Sequence, residues 1–337
     1  MNVLYIGNRL SAHGKSPTGI EILGPLLEKR GHNLRYASSK KNKIVRLSQM
    51  LAATFRSRKW ADVVLIDTYS TSNFWYAVAV SALCRRFKIT YIPVLHGGNL
   101  PSRLVNSPSA SGALFKNSAV NVAPSGYLQR AFADRGYNVK LIPNPVNLDN
   151  FPFKPRPEAA PNLLWVRALG PMSNPQMAVR VAALVAREHP STRLVMVGPD
   201  PLDLSRDLRQ LASQLGVQLD LRGGLSQKEW ASLSAQSDIF INTSSVDNAP
   251  FSLIEAMALG LYVVSTDVGG IPFLADDMRD ALLCGPGDDA AMARSIIKII
   301  ADPALRATLQ KSAFEKSRRF SADAILPLWD EILAKPL

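Results

Sequence analysis

What most constrains this chain is an alternation. Short apolar runs of the kind that form buried strands recur with helix-like stretches between them: "NVLYIG" from Asn2, then "ADVVLID", "ITYIPVLHG", "AVNVAPS" and "VKLIPNP". A proline-rich joint, "FPFKPRPEAAPN" (151–162), interrupts the series. It then restarts as "LLWVRAL", "TRLVMVGP", "VQLDLRGG", "SDIFINTSS" and "LYVVSTD". Strands that alternate with helices predict parallel sheets joined by right-handed crossovers. Two such series, in a chain of 337 residues, predict two doubly wound α/β domains rather than one core. Ligands of such sheets bind outside the carboxyl ends of the strands, so two facing domains would hold theirs in a central cleft.

Composition narrows the class. Apolar residues make up 47% and charged residues 20%, as in a globular protein. The two cysteines, Cys84 and Cys284, are far apart and read as buried thiols of a reducing compartment, with neither a disulfide framework nor a structural zinc. The opening residues read as a strand without a basic and then apolar leader, so no signal peptide is expected. The longest apolar run, "FWYAVAVSALC" (74–84), is about half a membrane span. Together these features predict a cytoplasmic protein.

Charge is divided unevenly. Residues 1–150 carry 20 Lys and Arg against 6 Asp and Glu, a net of +14; the remainder carries 19 against 21, a net of −2. The densest stretch, 38–60, holds Lys40, Lys41, Lys43, Arg46, Arg56, Arg58 and Lys59 and no acid. Ile44, Leu47, Met50, Leu51 and Phe55 recur within it at helical spacing. Such a basic amphipathic helix reads as a surface that meets anions, peripheral at the inner face of a membrane or facing an acidic acceptor. It reads equally as a helix packed on the sheet with solvated flanks. Phe55 or Trp60 could enter a headgroup region.

The most informative stretch is "VDNAPFSLIEAMALGLYVVSTDVGGIP" (246–272). A strand ends near Ser244. Pro250 suits a first helical position and Gly260 the left-handed residue that ends a helix, so 250–259 reads as a short crossover helix. The amides of Phe251, Ser252 and Leu253 would then face the carboxyl edge of the sheet at the positive end of the helix, where a phosphate fits. Glu255 lies on the apolar side of that helix and needs polar partners; the two vicinal hydroxyls of a ribose would supply them. Alternatively it completes a cap network. Asp247, in the preceding loop, could accept from hydroxyls of a sugar or make a local turn.

This segment resembles the donor site of the family 4 retaining glycosyltransferases, which have the GT-B fold and show an acid, seven residues, a glutamate, Ala-Met-Ala, a strand and Gly-Gly-Ile-Pro. "VAPSGYLQRAFADRGYNVKLIPNPVNLDNF", "LLWVRALGPMSNPQMAVRVAALVAREHPSTRLVMVGP" and "FSADAILPLWDEIL" extend the resemblance over most of the chain. It implies an acceptor-binding Rossmann-like domain at 1–155, a nucleotide-sugar-binding one at 156–320, and a helix at 321–337 that crosses back to the first domain. Glu255 then takes the ribose diol and Phe251, Ser252 and Leu253 the phosphates. Leu225 meets the base with its backbone, and Gly19 lets the first loop approach the phosphates. Arg167 takes the pyrophosphate, His96 faces the reacting sugar, and Asp247 holds the family's first acidic position, usually a glutamate. The lysine usual five residues after the arginine is Met172 here, and no lysine occurs from 155 to 227.

The implied reaction is a retaining, metal-independent hexosyl transfer from a nucleotide-diphosphate sugar to a hydroxyl of a glycan or lipid-linked acceptor, without cofactor or metal. "HGKS" (13–16) hints at a phosphate loop, but Arg9 and Pro17 stand where the pattern needs other residues. His13, His32, His96 and His189 lack metal-ligand spacing, no Asp-x-Asp exists, and no nucleophile elbow is present. A sugar-nucleotide epimerase or phosphorylase of the same fold is an alternative. A nucleic-acid binder would leave Glu255 and the helix start unexplained.

Overall fold

The structure is a computed structural model and describes residues 1–10 and 18–334. "HGKS", His13 and Pro17 lie outside the described residues.

The chain forms two units. The first comprises Met1–Pro145 and the C-terminal helix; the second is Val146–Ser321. In the first unit the elements run β1 (Asn2–Ile6), α1 (Gly19–Lys29), β2 (Asn33–Ala37), α2 (Lys43–Ser57), β3 (Val63–Tyr69), α3 (Phe74–Phe87), β4 (Thr90–His96), α4 (Pro101–Asn106), α5 (Pro108–Phe115), β5 (Asn121–Ala123), α6 (Gly126–Ala133) and β6 (Val139–Leu141). The second adds β7 (Asn162–Val166), α7 (Pro175–Ala186), β8 (Arg193–Val197), α8 (Ser205–Leu215), β9 (Gln218–Leu221), α9 (Gln227–Leu233), β10 (Ile239–Asn242), α10 (Phe251–Ala258), β11 (Tyr262–Thr266), β12 (Leu282–Cys284), α11 (Asp289–Ala301) and α12 (Pro303–Arg318). The last helix, α13 (Ala322–Ala334), belongs to the first unit.

Each unit is built on one parallel six-stranded sheet. The orders are β2-β1-β3-β4-β5-β6 and β12-β11-β10-β7-β8-β9. Strand order reverses beside β1 in the first and between β10 and β7 in the second, and such switch points are where open α/β sheets bind ligands. Side chains alternate across each sheet into two apolar layers. In β1, Val3 and Tyr5 face the layer shared with α13, while Leu4 and Ile6 face the layer of α2 and α3. This is the GT-B fold.

The proline-rich joint is no loose linker. It lies inside the second unit, and the change of unit falls at 145/146 rather than at the 155/156 read from the sequence. Buried Arg156 explains its attachment: its guanidinium donates to the carbonyls of Ser237 (3.0 Å), Ser234 (3.1 Å) and Leu259 (2.6 Å). Proline withholds amides and fixes the backbone, and one arginine replaces the missing ladder bonds.

Candidate functional site

In the second unit the loops after β7 and β10 are tied together. The Thr243 hydroxyl donates to Ser173 O at 2.8 Å and accepts from Trp165 Nε1 at 2.9 Å, and Ser245 N donates to Met172 O at 2.8 Å. This brings Arg167 and Asp247 into an ion pair, Nη1 to Oδ2 2.9 Å. Asp247 Oδ1 also accepts from Asn248 N at 2.9 Å, and its Oδ2 lies 3.3 Å from Ser244 Oγ. Burial pushes the Asp247 carboxyl up, and Arg167 and the Asn248 amide counter part of the rise. The Gly-Gly of "VGGIP" has a steric cause: a Cβ on Gly269 would sit 1.9 Å from Asp247 O, and one on Gly270 1.6 Å from Asn248 O. Only glycine lets that turn press against the loop that carries Asp247.

α10 begins one residue later than the sequence predicts. Pro250 is its N-cap and Phe251 its first residue, while Gly260 ends it at φ +75° as expected. Leu253 does not offer a free amide, because its N–H donates to Pro250 O at 3.2 Å and its side chain is core. That leaves the amides of Phe251 and Ser252. Glu255 is 5% exposed, and Oε1 accepts from Gln227 Nε2 at 2.9 Å. Burial raises its pKa to about 7 against the Gln227 hydrogen bond. Gln227, the first residue of α9, carries no recognisable signal in "GGLSQKE". Leu225, just before α9, is half-buried against the α10 layer.

In the first unit the carboxyl ends of β3 and β4 place His96 beside Asp67, Nε2 to Oδ1 2.8 Å. Asp67 is fully buried. Tyr5 Oη donates to the same oxygen at 3.1 Å, and Asp67 Oδ2 has no hydrogen-bond partner among the described residues. A carboxylate in its ionised form only accepts, and with that partner Nε2 would donate and Nδ1 would be the nitrogen offered to a ligand. The imidazole is also stacked on Tyr69, centroids 4.9 Å apart. Burial next to the Asp67 charge pushes the Tyr5 and Tyr69 phenols up. Gly19 makes room for this ring: a Cβ there would stand 2.8 Å from His96 Cε1. Asp67 was missed, although an acid inside the apolar run "VVLIDTY" is a visible signal.

The basic stretch is only partly the surface that was expected. Lys40, Lys41, Lys43, Arg56 and Lys59 are exposed, Arg58 is half-buried and Arg46 is buried. Arg46 donates to Lys40 O at 3.1 Å and lies 3.4 Å from Asn73 Oδ1, so it holds the start of α2 and faces no partner. Ile44, counted with the packed stripe, is 78% exposed. Arg58 covers Phe55 and Arg35 covers Trp60, with guanidinium carbons 4.1 and 4.0 Å from the ring centroids. Among the described residues no group of His, Cys, Asp and Glu could hold a metal ion, and no helix is long and apolar enough to cross a membrane. Both cysteine thiols are buried and pushed up to about 12.

Two doubly wound units, each with polar residues gathered at the carboxyl ends of its sheet, define the architecture of a GT-B protein. The chain belongs to the family of glycosyl transferases group 1, whose pattern matches residues 148–316. It is 27% identical over 247 residues to the exopolysaccharide phosphotransferase SCO2592 of Streptomyces coelicolor, covering 72% of this chain and 25% of that protein. It is 29% identical over 194 residues to the D-inositol 3-phosphate glycosyltransferase of Saccharomonospora viridis, covering 53% of this chain and 44% of that one. The chain thus spans less than half the length of these two curated relatives. The crystal structure of Anabaena Alr3699/HepE in complex with UDP superposes with a TM-score of 0.79 at 19% identity, covering 99% of this chain and 100% of that one.

Proposed function

We propose that this protein is a retaining, metal-independent glycosyltransferase of the family 4 kind, which moves a hexosyl group from a nucleotide-diphosphate sugar to an acceptor hydroxyl. The observation that carries the reading is Glu255. It is a buried carboxylate that accepts from one side chain, Gln227, one turn inside a helix whose first amides have no partner among the described residues, and it stands at the second acid of the family's donor segment. A ribose diol would give that carboxylate two donors. The amides of Phe251 and Ser252 and the Arg167 guanidinium would stabilise charge on the departing diphosphate. The anomeric carbon–oxygen bond to phosphate breaks, the bond to the acceptor oxygen forms on the same face, and the acceptor proton passes to the leaving phosphate. His96, held by Asp67, would offer Nδ1 to a hydroxyl of the reacting sugar.

The acceptor side is assigned to the first unit. Five exposed cations between residues 40 and 59, in a half of the chain with a net of +14, support an acceptor borne on an anionic membrane surface at its cytoplasmic face, a lipid-linked or polysaccharide-precursor glycan. Calorimetric titration with a panel of nucleotides and nucleotide sugars, UDP-glucose first, tests the donor side. A cognate ligand should bind the parent and lose measurable affinity in Glu255→Ala, because hydrogen bonds to a charged group are worth about 1.5–3 kcal/mol each. Equal affinity in the folded variant would remove the ribose assignment.

A further inference from the structure

A groove of about 610 Å³ opens in the first unit where β1 and β2 end against α2. Arg9, Tyr36 and Ser38 line it from the strand ends, and Gln49, Ala52 and Arg56 line it from one face of α2. No acid lines it. The Arg9 guanidinium lies 4.5 Å over the Tyr36 ring, and neither Arg9 nor Arg56 meets a carboxylate among the described residues. Ser38 is buried, and its hydroxyl donates to Gln49 Oε1 at 2.5 Å. The acceptor end of Gln49 is thereby occupied, and its NH₂ remains to donate.

Two guanidinium cations and an amide donor along one concavity ask for a ligand with more than one negative charge and several acceptor oxygens. A carboxylate brings one charge and two oxygens. A phosphate monoester brings up to two charges and three terminal oxygens, and its geometry suits the arginine fork. Ala52 and Ala53 add an apolar wall of the kind against which the carbon side of a sugar ring rests. We infer that this groove binds a phosphate ester carried on a sugar or polyol. The inference deepens the acceptor side of the proposed function and rests on that reading for what becomes of the ligand; the binding stands without it.

The test titrates the full chain with glucose 6-phosphate and with glucose, and sediments it with phosphatidylcholine vesicles that do or do not contain phosphatidylinositol 4-phosphate, whose headgroup carries a phosphate monoester on a polyol. The parent is compared with Arg9→Gln, Arg56→Gln and, as a control, Lys116→Gln, an exposed cation outside the groove. Unchanged melting temperatures establish that the variants are folded. Glucose 6-phosphate is expected to bind where glucose does not, and its affinity should fall about tenfold with either arginine and stay level in K116Q. If only vesicles that contain phosphatidylinositol 4-phosphate bind, with the same dependence on Arg9 and Arg56, the phosphate is that of a lipid headgroup and the assignment holds. Binding of neither probe, or binding that ignores both arginines, overturns it. UDP-glucose titration of the same proteins separates the two readings. Donor binding without phosphate binding removes the groove alone, and arginine-dependent phosphate binding without any nucleotide-sugar binding removes the transferase reading alone.

Discussion

Glu255 couples stability to pH. Its folded-state pKa of about 7 lies above the ordinary 4.5, so over that window the native protein keeps a proton that the unfolded chain has released. Stability from this group is full at acid pH and falls as pH rises through the window. Glu255→Gln keeps the hydrogen bond from Gln227 and removes the charge. It should therefore raise the melting temperature at pH 8 by several degrees and leave it unchanged at pH 4, since about 1 kcal/mol moves a domain of this size about 2–4 °C. The same variant should bind UDP-glucose worse than the parent. A melting temperature that is equally displaced at both pH values would show that the carboxylate is not the buried titrating group. At His96 the expectation concerns rate. His96→Ala should lower turnover about 100-fold and leave donor affinity within about twofold, because a group used in the transition state spares ground-state binding. Asp67→Asn, which no longer obliges Nε2 to donate, should move the pH profile of turnover as well as its height; a loss of rate with an unmoved profile would make Asp67 purely structural. His96 and Glu255 were legible as chemistry at the ends of their elements. Asp67 showed itself only as an acid inside an apolar run and Gln227 not at all, because the role of each lies in what it touches 29 and 28 positions away along the chain.

At the scale of elements, strands with apolar runs were legible and two others were not. β2, "NLRYA", is an edge strand whose residues alternate between exposed and half-buried until Ala37, so it shows no continuous apolar run. β12, "LLC", is too short to stand out from its surroundings. α2 shows why helical spacing alone misassigns a face. Met50 and Thr54 are fully buried and Arg46 nearly so, with its charge met by carbonyl oxygens, whereas Ile44 and Phe55 at neighbouring spacings are exposed. The membrane reading must therefore be tested without Arg46, whose loss would unseat the helix. Reversing Lys40, Lys41 and Lys43 to Glu should abolish co-sedimentation with anionic vesicles and leave the helical circular dichroism intact, since each cation near such a surface contributes about 1 kcal/mol. Binding in the parent should weaken as salt is raised; sedimentation indifferent to salt and to the three reversals would dispose of the docking surface.

Over the whole molecule, the first unit depends on residues from the far end of the chain. Ile325, Leu326, Trp329, Ile332 and Leu333 of α13 are buried in the same layer as Val3, Tyr5, Leu65 and Ile92. Polar contacts fix the helix in register: Asp330 pairs with Arg30 and lies 3.2 Å from His32, and Glu331 pairs with Lys140 at 2.6 Å. Exposed pairs of this sort contribute little individually, so the apolar face must carry the attachment. The chain's two passages between units are adjacent, since Val146 bridges Ser321 in parallel and its N–H donates to Phe320 O at 2.8 Å. Trp329 is 2% exposed, and removing a buried aromatic side chain costs about 3–5 kcal/mol. Trp329→Ala should lower the melting transition of the first unit by roughly 10 °C. The second unit has its own two apolar layers and takes no residue from α13. Its transition, and its affinity for UDP-glucose below the first melting step, should stay where they are in the parent. Calorimetry read alongside nucleotide titration decides the matter: a single transition that moves as one, with donor affinity falling alongside it, would mean that the two cores do not melt as separate bodies.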